Sequence, residues 1–249
     1  MDALRRRDRW AMAARASCLQ ATFNYERQQG LGWAWALAPA LARVYPDAAT
    51  RRARHAEHTA YFNTQPTLAS LALGAVALLE ESRAAGEGPD GDGIARVKSA
   101  LGSSAAAVGD PLFGFALRPF AATLGVLLAP LGPAVCAGAL WLCYNIVHLG
   151  LRVLGVGWGY REGPGVLSGP LRGRLTRLTR ALGIAGAALA GVLVAWTLVP
   201  GGTPRPVIFQ VSLVAGLGIG LVAAQRGRPT PTEWALGIGG LCLLAVALR

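Results

Sequence analysis

The hydrophobic and polar positions divide the chain into two parts of different character. Up to about residue 100, apolar residues recur at helical intervals with polar residues between them, whereas beyond that point the apolar runs are long and nearly continuous. Helical periodicity predicts amphipathic helices, and runs of about 20 apolar residues predict helices that span a bilayer. The pattern therefore predicts an all-α integral membrane protein, with N-terminal amphipathic and re-entrant helices followed by membrane-embedded ones.

The N-terminal region, residues 1–66, predicts amphipathic helices at the cytoplasmic surface or in the membrane interface. Two apolar series recur at helical spacing, the first at Trp10, Ala14, Cys18, Ala21 and Tyr25 and the second at Leu31, Trp35, Ala38, Leu41 and Tyr45. We expect two helices that meet at Gly30 and Gly32, with Trp10, Trp33 and Trp35 at headgroup level. A plain helical cap on a larger body fits the same pattern.

The middle region, residues 67–110, combines a short apolar run with a hydrophilic loop. The run 67–79 has 13 residues, fewer than the roughly 20 of a spanning helix, and it leads directly into Glu80 and Glu81. A re-entrant or buried helix is therefore expected here. The Gly- and acid-rich stretch 84–93 is typical of a surface linker.

The C-terminal region, residues 111–249, predicts the transmembrane part. Its apolar stretches are 111–131, 133–156, 181–199, 207–224 and 234–248, which gives about five transmembrane or hairpin helices. The loop 157–180 carries five arginines, the loop 200–206 carries one, and the loop 225–231 carries two. By the positive-inside rule the two richer loops face the cytoplasm, and the N-terminus lies there too.

Composition and charge agree with a membrane location. Only 15% of the residues are charged, against about 25% in soluble domains, and 53% are hydrophobic. The net charge of +11 comes mainly from residues 99–249, which hold 11 basic and 3 acidic groups between apolar runs. Such charges are typical of membrane topology rather than of a nucleic-acid interface, and we expect no nucleic-acid partner.

Five polar side chains interrupt the apolar part of the chain: Asp110, Arg118, Asn145, His148 and Arg152. A charge in hydrocarbon costs at least about 2.5 kcal/mol and commonly marks a pathway or a partner. Asp110 has a structural alternative, since Asp before Pro111 is typical of a helix N-cap. Arg118 is expected to have Asp110 or Glu80 as counter-ion, and the last two side chains are expected to extend to the membrane interface.

The residues do not indicate catalytic chemistry. His55 and His58 stand three positions apart without a third ligand nearby, and the four cysteines lack C-x-x-C spacing. No motif combines a nucleophile with a base and an orienting group. We expect no metal, no cofactor and no stand-alone enzyme.

Several motifs resemble the IID membrane component of the mannose/fructose/sorbose family of sugar phosphotransferase systems. They lie in order between residues 18 and 185: N-Y-E-R-Q-Q-G-L-G-W at 24–33, P-A-L-A-R-V-Y-P-D at 39–47, H-T-A-Y-F-N-T-Q-P at 58–66, G-A-V-A-L-L-E-E at 74–81, V-G-D-P-L-F at 108–113, L-R-P at 117–119, Y-N-I-V at 144–147 and G-V-G-W-G-Y-R-E-G at 155–163. The F-N-T-Q-P and G-D-P elements are the most specific.

The resemblance implies a division of labour in a hetero-oligomer of the bacterial inner membrane. A IID chain pairs with a IIC chain to form the permease, while HPr, IIA and IIB carry the phosphoryl group from phosphoenolpyruvate to the incoming sugar. IID is not the phosphocarrier, so the histidines need no phosphorylation role. The implied chain is a multi-pass subunit in contact with lipid, and its cytoplasmic N-terminal part would offer a surface to IIB.

The resemblance also implies a sugar path beside broken helices near 67–81 and 110–119. Sugars are neutral polyols, and carboxylates, amides and arginines are suitable hydrogen-bond partners for them. We therefore expect the path to be lined by Asn63, Glu80, Glu81, Asp110 and Arg118. An alternative is that IIC supplies most of the sugar contacts.

Two departures from the family pattern keep a second function open. Residues 101–107 read L-G-S-S-A-A-A in place of a M-G-P-L-A-G type run, and an aromatic-Trp-Gly run is replaced by Phe113, Gly114 and Phe115. Both lie near the expected sugar path. The alternative is therefore a IID-like assembly or regulatory partner that keeps the fold but transports no sugar productively.

Overall fold

A computed structural model of the chain describes residues 4–198, and within this range it is all-helical, which confirms the expected helical class. The helices are α1 (Arg6–Ala16), α2 (Gly30–Val44), α3 (Ala48–His58), α4 (Ala69–Ala84), α5 (Gly91–Asp110), a π-helix (Pro111–Leu117), α6 (Arg118–Leu127), α7 (Pro133–Glu162) and α8 (Pro170–Leu198), with short 3-10 turns at Ala129–Leu131 and Gly163–Leu167. The contacts below lie in one compact unit, Met1–Ala187. Residues 188–198 continue α8 and are assigned to a second unit.

Local sequence signals explain where several helices begin. The Asp47 carboxylate accepts a hydrogen bond of 2.7 Å from the Thr50 N–H, and Asp90 accepts one of 2.7 Å from Gly93. Both are N-caps that satisfy free N–H groups of the first turn. α7 starts with a proline directly after Gly132, which has φ +115° and ends the preceding turn.

The first helix buries a different face from the one that the sequence predicted. α1 ends at Ala16, and residues 17–29 form turns instead of a second half of the helix. The predicted apolar face is exposed at Trp10 and Tyr25, while the side chains packed inside are Met12 and Leu19. The expected face was wrong because an alanine-rich segment offers two helical series, and the packing against α2 and α7 selects the other one.

α2 also differs from its predicted register. Trp33, expected at headgroup level, is fully buried against Phe62 with ring centroids 4.2 Å apart, whereas Trp35 is exposed. The predicted meeting point at the glycines has a steric reason, because a Cβ on Gly32 would overlap the Leu19 carbonyl. The chain after α1 therefore passes directly over the start of α2.

α4 is buried, as predicted for the short apolar run, and it crosses α7 with almost no side chain between the two backbones. A Cβ on Gly159 would overlap the Leu71 carbonyl, and one on Gly74 would overlap the Val156 carbonyl. The Ser70 hydroxyl donates to the Leu151 carbonyl at 3.2 Å in the same crossing. Small residues at these positions therefore allow the backbones of α4 and α7 to approach each other closely.

Within the described residues, two continuous helices are long and apolar enough to cross a membrane: Gly91–Leu127, which includes the π-helix, and Pro133–Leu167. The apolar window of the first is half buried in the protein, whereas almost none of the window of the second is fully buried. Exposed apolar side chains on α7 include Val135, Leu140, Trp141, Leu142, Ile146 and Leu149. Such a surface is typical of contact with lipid or a membrane partner.

Asp110 is not the N-cap that the sequence suggested. The helix passes through this residue without a break, and its side chain makes no capping hydrogen bond. Pro111 has no N–H and crowds the carbonyl one turn earlier, and here the backbone widens into the π-helix instead of ending. Of the predicted membrane stretches, 181–199 falls mostly in α8, and 207–224 and 234–248 lie outside the described residues.

Candidate functional site

An open cavity of about 470 Å³ lies between the π-helix, α7 and the segment that leads into α4. We call it the π-helix cavity. Its polar lining consists of Gln20, Gln65, Thr67, Asp110, Arg118, His148 and Arg152, and its aromatic lining consists of Phe113, Phe115 and Tyr144. Two of the predicted path residues, Asp110 and Arg118, thus reach the same cavity.

Asp110 and Arg118 flank the π-helix and are both exposed. Neither expected counter-ion of Arg118 is confirmed, because among residues 4–198 no carboxylate lies within 4 Å of its guanidinium. Asp110 stands at the other end of the π-helix, and Glu80 is engaged elsewhere. The cavity therefore presents a separate acceptor and a separate donor.

The segment before α4 is held rigidly at the cavity wall. The Gln65 side-chain oxygen accepts hydrogen bonds from the N–H groups of Thr67 and Leu68 at 2.8 and 2.9 Å, so it holds the turn that leads into α4. The Thr67 hydroxyl lies 2.9 Å from His148 Nδ1 on α7. These bonds fix two helices relative to each other on the cavity floor.

Arg152 points into the protein instead of extending outwards as expected. It is buried, and its Nη1 donates a hydrogen bond of 2.6 Å to the Ala16 carbonyl at the end of α1. A helix C-terminus carries partial negative charge and favours a cation there. Its Nε has no hydrogen-bond partner among the described residues, although it is buried.

The aromatic wall of the cavity is an ordered group of three rings. Tyr144 and His148 are stacked with centroids 5.6 Å apart, and Phe113 meets each of them edge-on at 6.1 Å. Tyr144, His148 and Arg152 are spaced by four residues along one face of α7. Flat aromatic faces beside separate donors and acceptors suit a ligand with both C–H and O–H surfaces.

Glu80 belongs to a different, closed cluster. Its carboxylate is fully buried, accepts a hydrogen bond of 2.7 Å from the Tyr45 hydroxyl and lies 2.9 Å from His58 Nε2. Burial alone would raise the pKa of Glu80, but the hydrogen bonds from His58 and Tyr45 and the nearby Arg83 charge outweigh it and lower the pKa. Burial and the bond to Glu80 raise the pKa of Tyr45. Glu80 is thus an ionised anchor that joins α2, α3 and α4.

Glu81 lies in a second buried contact and Asn63 on the surface. The Tyr160 hydroxyl donates to the Glu81 carboxylate and accepts from the Leu4 N–H at 3.4 Å, which ties α4 to α7 and to the start of the chain. Asn63 is exposed and does not line the π-helix cavity. The five predicted path residues therefore occupy four places.

Sequence reasoning missed several residues that these sites use. The helix face formed by Tyr144, His148 and Arg152 was detectable from its four-residue spacing, but only the last two positions were considered. Lys98 gave no signal at all, since it sits in a polar stretch. Its buried ammonium donates to the His58 and Ala60 carbonyls at 3.0 and 3.4 Å and lies over the Trp33 ring.

Comparison with known proteins gives one consistent family. Residues 3–204 match the family described as the PTS system mannose/fructose/sorbose family IID component. The chain is 36% identical over 185 residues to the mannose-specific EIID component of Escherichia coli (strain K12), which covers 74% of this chain and 65% of that protein. It is 35% identical over 190 residues to the sorbose-specific EIID component of Klebsiella pneumoniae, covering 76% and 69%. The fructose permease IID component of Bacillus subtilis (strain 168) is 32% identical over 197 residues, covering 79% and 72%.

Two solved structures resemble the chain over nearly its whole length. One is a chain of the mannose transporter ManYZ in a cryo-EM complex with microcin E492, with a TM-score of 0.62, 28% identity and coverage of 98% of this chain and 97% of that one. The other, described as a membrane protein, has a TM-score of 0.77 and 27% identity at the same coverage. The aligned part nonetheless spans just under two thirds of the Escherichia coli relative.

Proposed function

Because this chain belongs to the mannose/fructose/sorbose family of phosphotransferase IID components, as its motifs predicted, we propose that it is the IID membrane subunit of a phosphoenolpyruvate-dependent sugar permease. It pairs with a IIC subunit and translocates a hexose of the mannose, fructose or sorbose type. IIB phosphorylates the sugar at the cytoplasmic face and receives its phosphoryl group from HPr through IIA. No phosphocarrier residue is required on this chain.

The placement in the bacterial inner membrane is supported by the exposed apolar face of α7. Trp141, Ile146 and Leu149 are each more than two fifths exposed, and such residues are stable in lipid or against a membrane partner. The arginine-rich loop after α7 favours a cytoplasmic position for that end of the helix. The N-terminal helices, which pack against the same end, then lie in the cytoplasm and offer a surface to IIB.

The observation that carries the transport role is the coincidence of the family motifs with the π-helix cavity. The V-G-D-P-L-F motif ends α5 and begins the π-helix, F-N-T-Q-P contributes Gln65, and Y-N-I-V contributes Tyr144. Asp110 can accept and Arg118 can donate hydrogen bonds to a polyol beside the aromatic wall. Glu80 and Glu81 support this path by holding α4, and Asn63 is a path residue at its surface approach.

The transport role is tested by reconstituting this chain with its IIC in vesicles and supplying inside them HPr, the enzyme that phosphorylates HPr from phosphoenolpyruvate, IIA and IIB. Phosphoenolpyruvate-dependent uptake of labelled mannose, fructose and sorbose is measured, and omission of this chain is expected to abolish it. Arg118→Ala should lower the uptake rate about tenfold or more, because it removes the donor of the cavity. The exposed Arg174→Ala, which removes an equal charge outside the cavity, should leave uptake unchanged.

Two results would contradict this role. Equal effects of Arg118→Ala and Arg174→Ala would remove the π-helix cavity from the sugar path. A stable complex with IIC that takes up none of the three sugars would favour the second function, an assembly or regulatory partner. That alternative is motivated by Phe115, which departs from the family pattern and stands 82% exposed at the cavity wall.

A further inference from the structure

A second groove, of about 530 Å³, lies on the N-terminal helices, away from the π-helix cavity. Its floor is apolar and is formed by Ala11, Ala38, Pro39, Leu41 and Ala42, and its basic rim is formed by Arg15, Arg51, Arg52 and His55. We call it the basic groove. We propose that it binds one anionic phospholipid, with the phosphate at the arginine rim and an acyl chain on the apolar floor.

Among the described residues, no carboxylate forms an ion pair within 4 Å with the three arginines of the rim. No acidic residue lines the groove. Arg15 donates to the Trp35 carbonyl at 3.1 Å, and Arg51 donates to the Tyr45 and Pro46 carbonyls at 3.1 and 3.2 Å, so both guanidinium groups are held by neutral acceptors. Because these partners carry no formal charge, the rim keeps a net positive potential that an anion can complement.

Two carboxylates on the neighbouring segments already have other hydrogen-bond or ion-pair partners. Asp47, whose charge acts on Arg51, accepts the capping bond from Thr50, and Asp8 pairs with Arg43 at 3.0 Å. Burial, together with the nearby His58, lowers the pKa of His55, so this residue is neutral at physiological pH. The positive charge of the rim therefore comes from its three arginines.

The apolar floor distinguishes an amphiphile from a free anion. Inorganic phosphate or a sugar phosphate needs hydrogen-bond donors on several sides, and alanine, proline and leucine side chains supply none. A hydrocarbon chain, in contrast, gains free energy by covering such a floor, at about 25 cal/mol per Å² removed from water. A ligand with a negative headgroup and an apolar tail satisfies both parts of the groove.

The groove also lies at the height where a membrane surface is expected. α1 contacts α7 between Arg152, which binds the Ala16 carbonyl, and Tyr160, which binds the Leu4 N–H. These contacts cover about 12 Å of α7, and the exposed apolar face of this helix ends within the same stretch, at Leu154. α1 is thus placed where the apolar band ends, which is the position of lipid headgroups.

Two exposed tryptophans border the groove and agree with this height. Trp10 precedes the floor residue Ala11 and is 50% exposed, and Trp35 is 45% exposed with the Arg15 guanidinium 5.1 Å from its ring centre. Tryptophan is enriched at membrane interfaces. With a cytoplasmic N-terminus the groove faces the inner leaflet, which carries the anionic lipids. The inference rests on the proposed membrane placement but not on sugar transport.

The test uses the complete chain purified with its IIC in detergent and native mass spectrometry of added lipid. Dioleoyl phosphatidylglycerol is the probe, dioleoyl phosphatidylcholine has the same chains without net charge, and glycerol phosphate is a headgroup without chains. We expect phosphatidylglycerol to bind and the other two to bind at least tenfold more weakly. Each arginine should contribute about fivefold, so Arg51→Gln with Arg52→Gln should weaken phosphatidylglycerol binding about thirtyfold.

The matched control removes two exposed arginines at the start of α8, Arg174→Gln with Arg177→Gln, and should bind lipid as the unmodified protein does. Arg51→Lys with Arg52→Lys keeps the charge and should retain binding within a few-fold. If the double glutamine variant does not fold, Arg52→Gln alone, which alters no observed hydrogen bond, should still weaken binding about fivefold.

Several results would overturn the proposal. One is unchanged phosphatidylglycerol binding in both glutamine variants. Another is equal binding of phosphatidylcholine, or binding of glycerol phosphate as tight as that of the lipid. Normal lipid binding combined with loss of IIB binding in the glutamine variants would make the groove a protein-docking surface instead. Failure of sugar uptake in reconstituted vesicles would contradict the transport role and leave this measurement unaffected.

Discussion

At the scale of single residues, Glu80 and its partners give the clearest energetic argument. A buried carboxylate is expensive, and ion pairs in protein interiors often contribute little net stability when compared with apolar replacements. Breaking such a pair is a different matter, because the remaining partner stays buried without compensation. Removal of the Glu80 carboxylate leaves the buried His58 imidazole without this partner, while the Tyr45 hydroxyl keeps only the Glu80 main-chain carbonyl at 3.2 Å.

Glu80→Ala is therefore expected to destabilise the protein by about 3–5 kcal/mol, measured as a large drop in the thermal denaturation midpoint in detergent. The exposed Glu26→Ala should leave the midpoint unchanged, since its carboxylate is 82% exposed. A Glu80→Ala midpoint equal to that of Glu26→Ala would show that the cluster does not anchor the helices.

The ionised Glu80 also predicts that the stability of the fold depends on pH. The pKa of Glu80 in the folded protein lies below its ordinary value of 4.5, so the ionised group stabilises the fold above pH 4.5. This contribution is lost as the pH falls below 4.5 through the lowered pKa. The denaturation midpoint of the unmodified protein should thus fall more than that of Glu80→Ala as the pH is lowered below about 4.5.

The sequence predicted part of this residue-scale picture. Asp110 and Arg118 were singled out by their position in apolar sequence, and they do line one cavity. Glu80 was placed on the same path because a carboxylate in an apolar context looks the same whether it lines a cavity or pairs internally. Its partners Tyr45 and His58 are 35 and 22 residues away, and no local pattern reveals such contacts.

At the scale of helices, the crossing of α4 and α7 controls the geometry of the candidate site. Glycines let the two backbones touch, and α7 then carries Tyr144, His148 and Arg152 towards the π-helix cavity. The other half of α7 has open space around its glycines Gly138 and Gly150. Small residues are therefore required only on the part of α7 that contacts α4.

Gly159→Ala tests this clearance against an internal control. Alanine favours a helix by about 1 kcal/mol over glycine, but its Cβ here would meet the Leu71 carbonyl, and such overpacking costs about 1–3 kcal/mol. The thermal midpoint should fall. Gly157→Ala, on the same helix with nothing within 4 Å, should raise it or leave it unchanged. Equal shifts for both variants would contradict a close backbone crossing.

The sequence predicted which segments are helical, but it predicted only in part which face of each helix is buried. The short apolar run gave a buried α4, because 13 residues before two glutamates cannot span a bilayer. The face of α1 was wrong, since periodicity in an alanine-rich helix does not say which series meets a neighbour. The π-helix was unforeseen, because Asp before proline is read as a helix start and not as a widening of one that continues.

At the scale of the whole molecule, the described residues include the π-helix cavity, the basic groove and the exposed apolar face of α7. The positive-inside rule assigns the turn after α7 to the cytoplasm and the turn before it to the outside. This orientation is a prediction from the charges of the connecting loops, and it has a direct test.

Accessible cysteines measure this orientation. In a variant without native cysteines, Ser168→Cys should react with a membrane-impermeant thiol reagent only after the cells are permeabilised. Leu131→Cys, at the turn before α7 and 69% exposed, should react in intact cells. Labelling of Ser168→Cys in intact cells would reverse the assigned topology, and the proposed contacts with IIB and the inner leaflet would have to be abandoned.

The one-sided support of α7 has a practical consequence for experiments on the assembled permease. The helix is about 45 Å long; the half near Arg152 is enclosed by α1 and α4, whereas the other half packs against α6 and is otherwise exposed. A spectroscopic reporter attached at Gly138, where nothing lies within 4 Å, would sense the annular environment or a neighbouring subunit without perturbing the cavity. The exposed side of this half of the helix is thus a suitable attachment site for a reporter that follows assembly in real time.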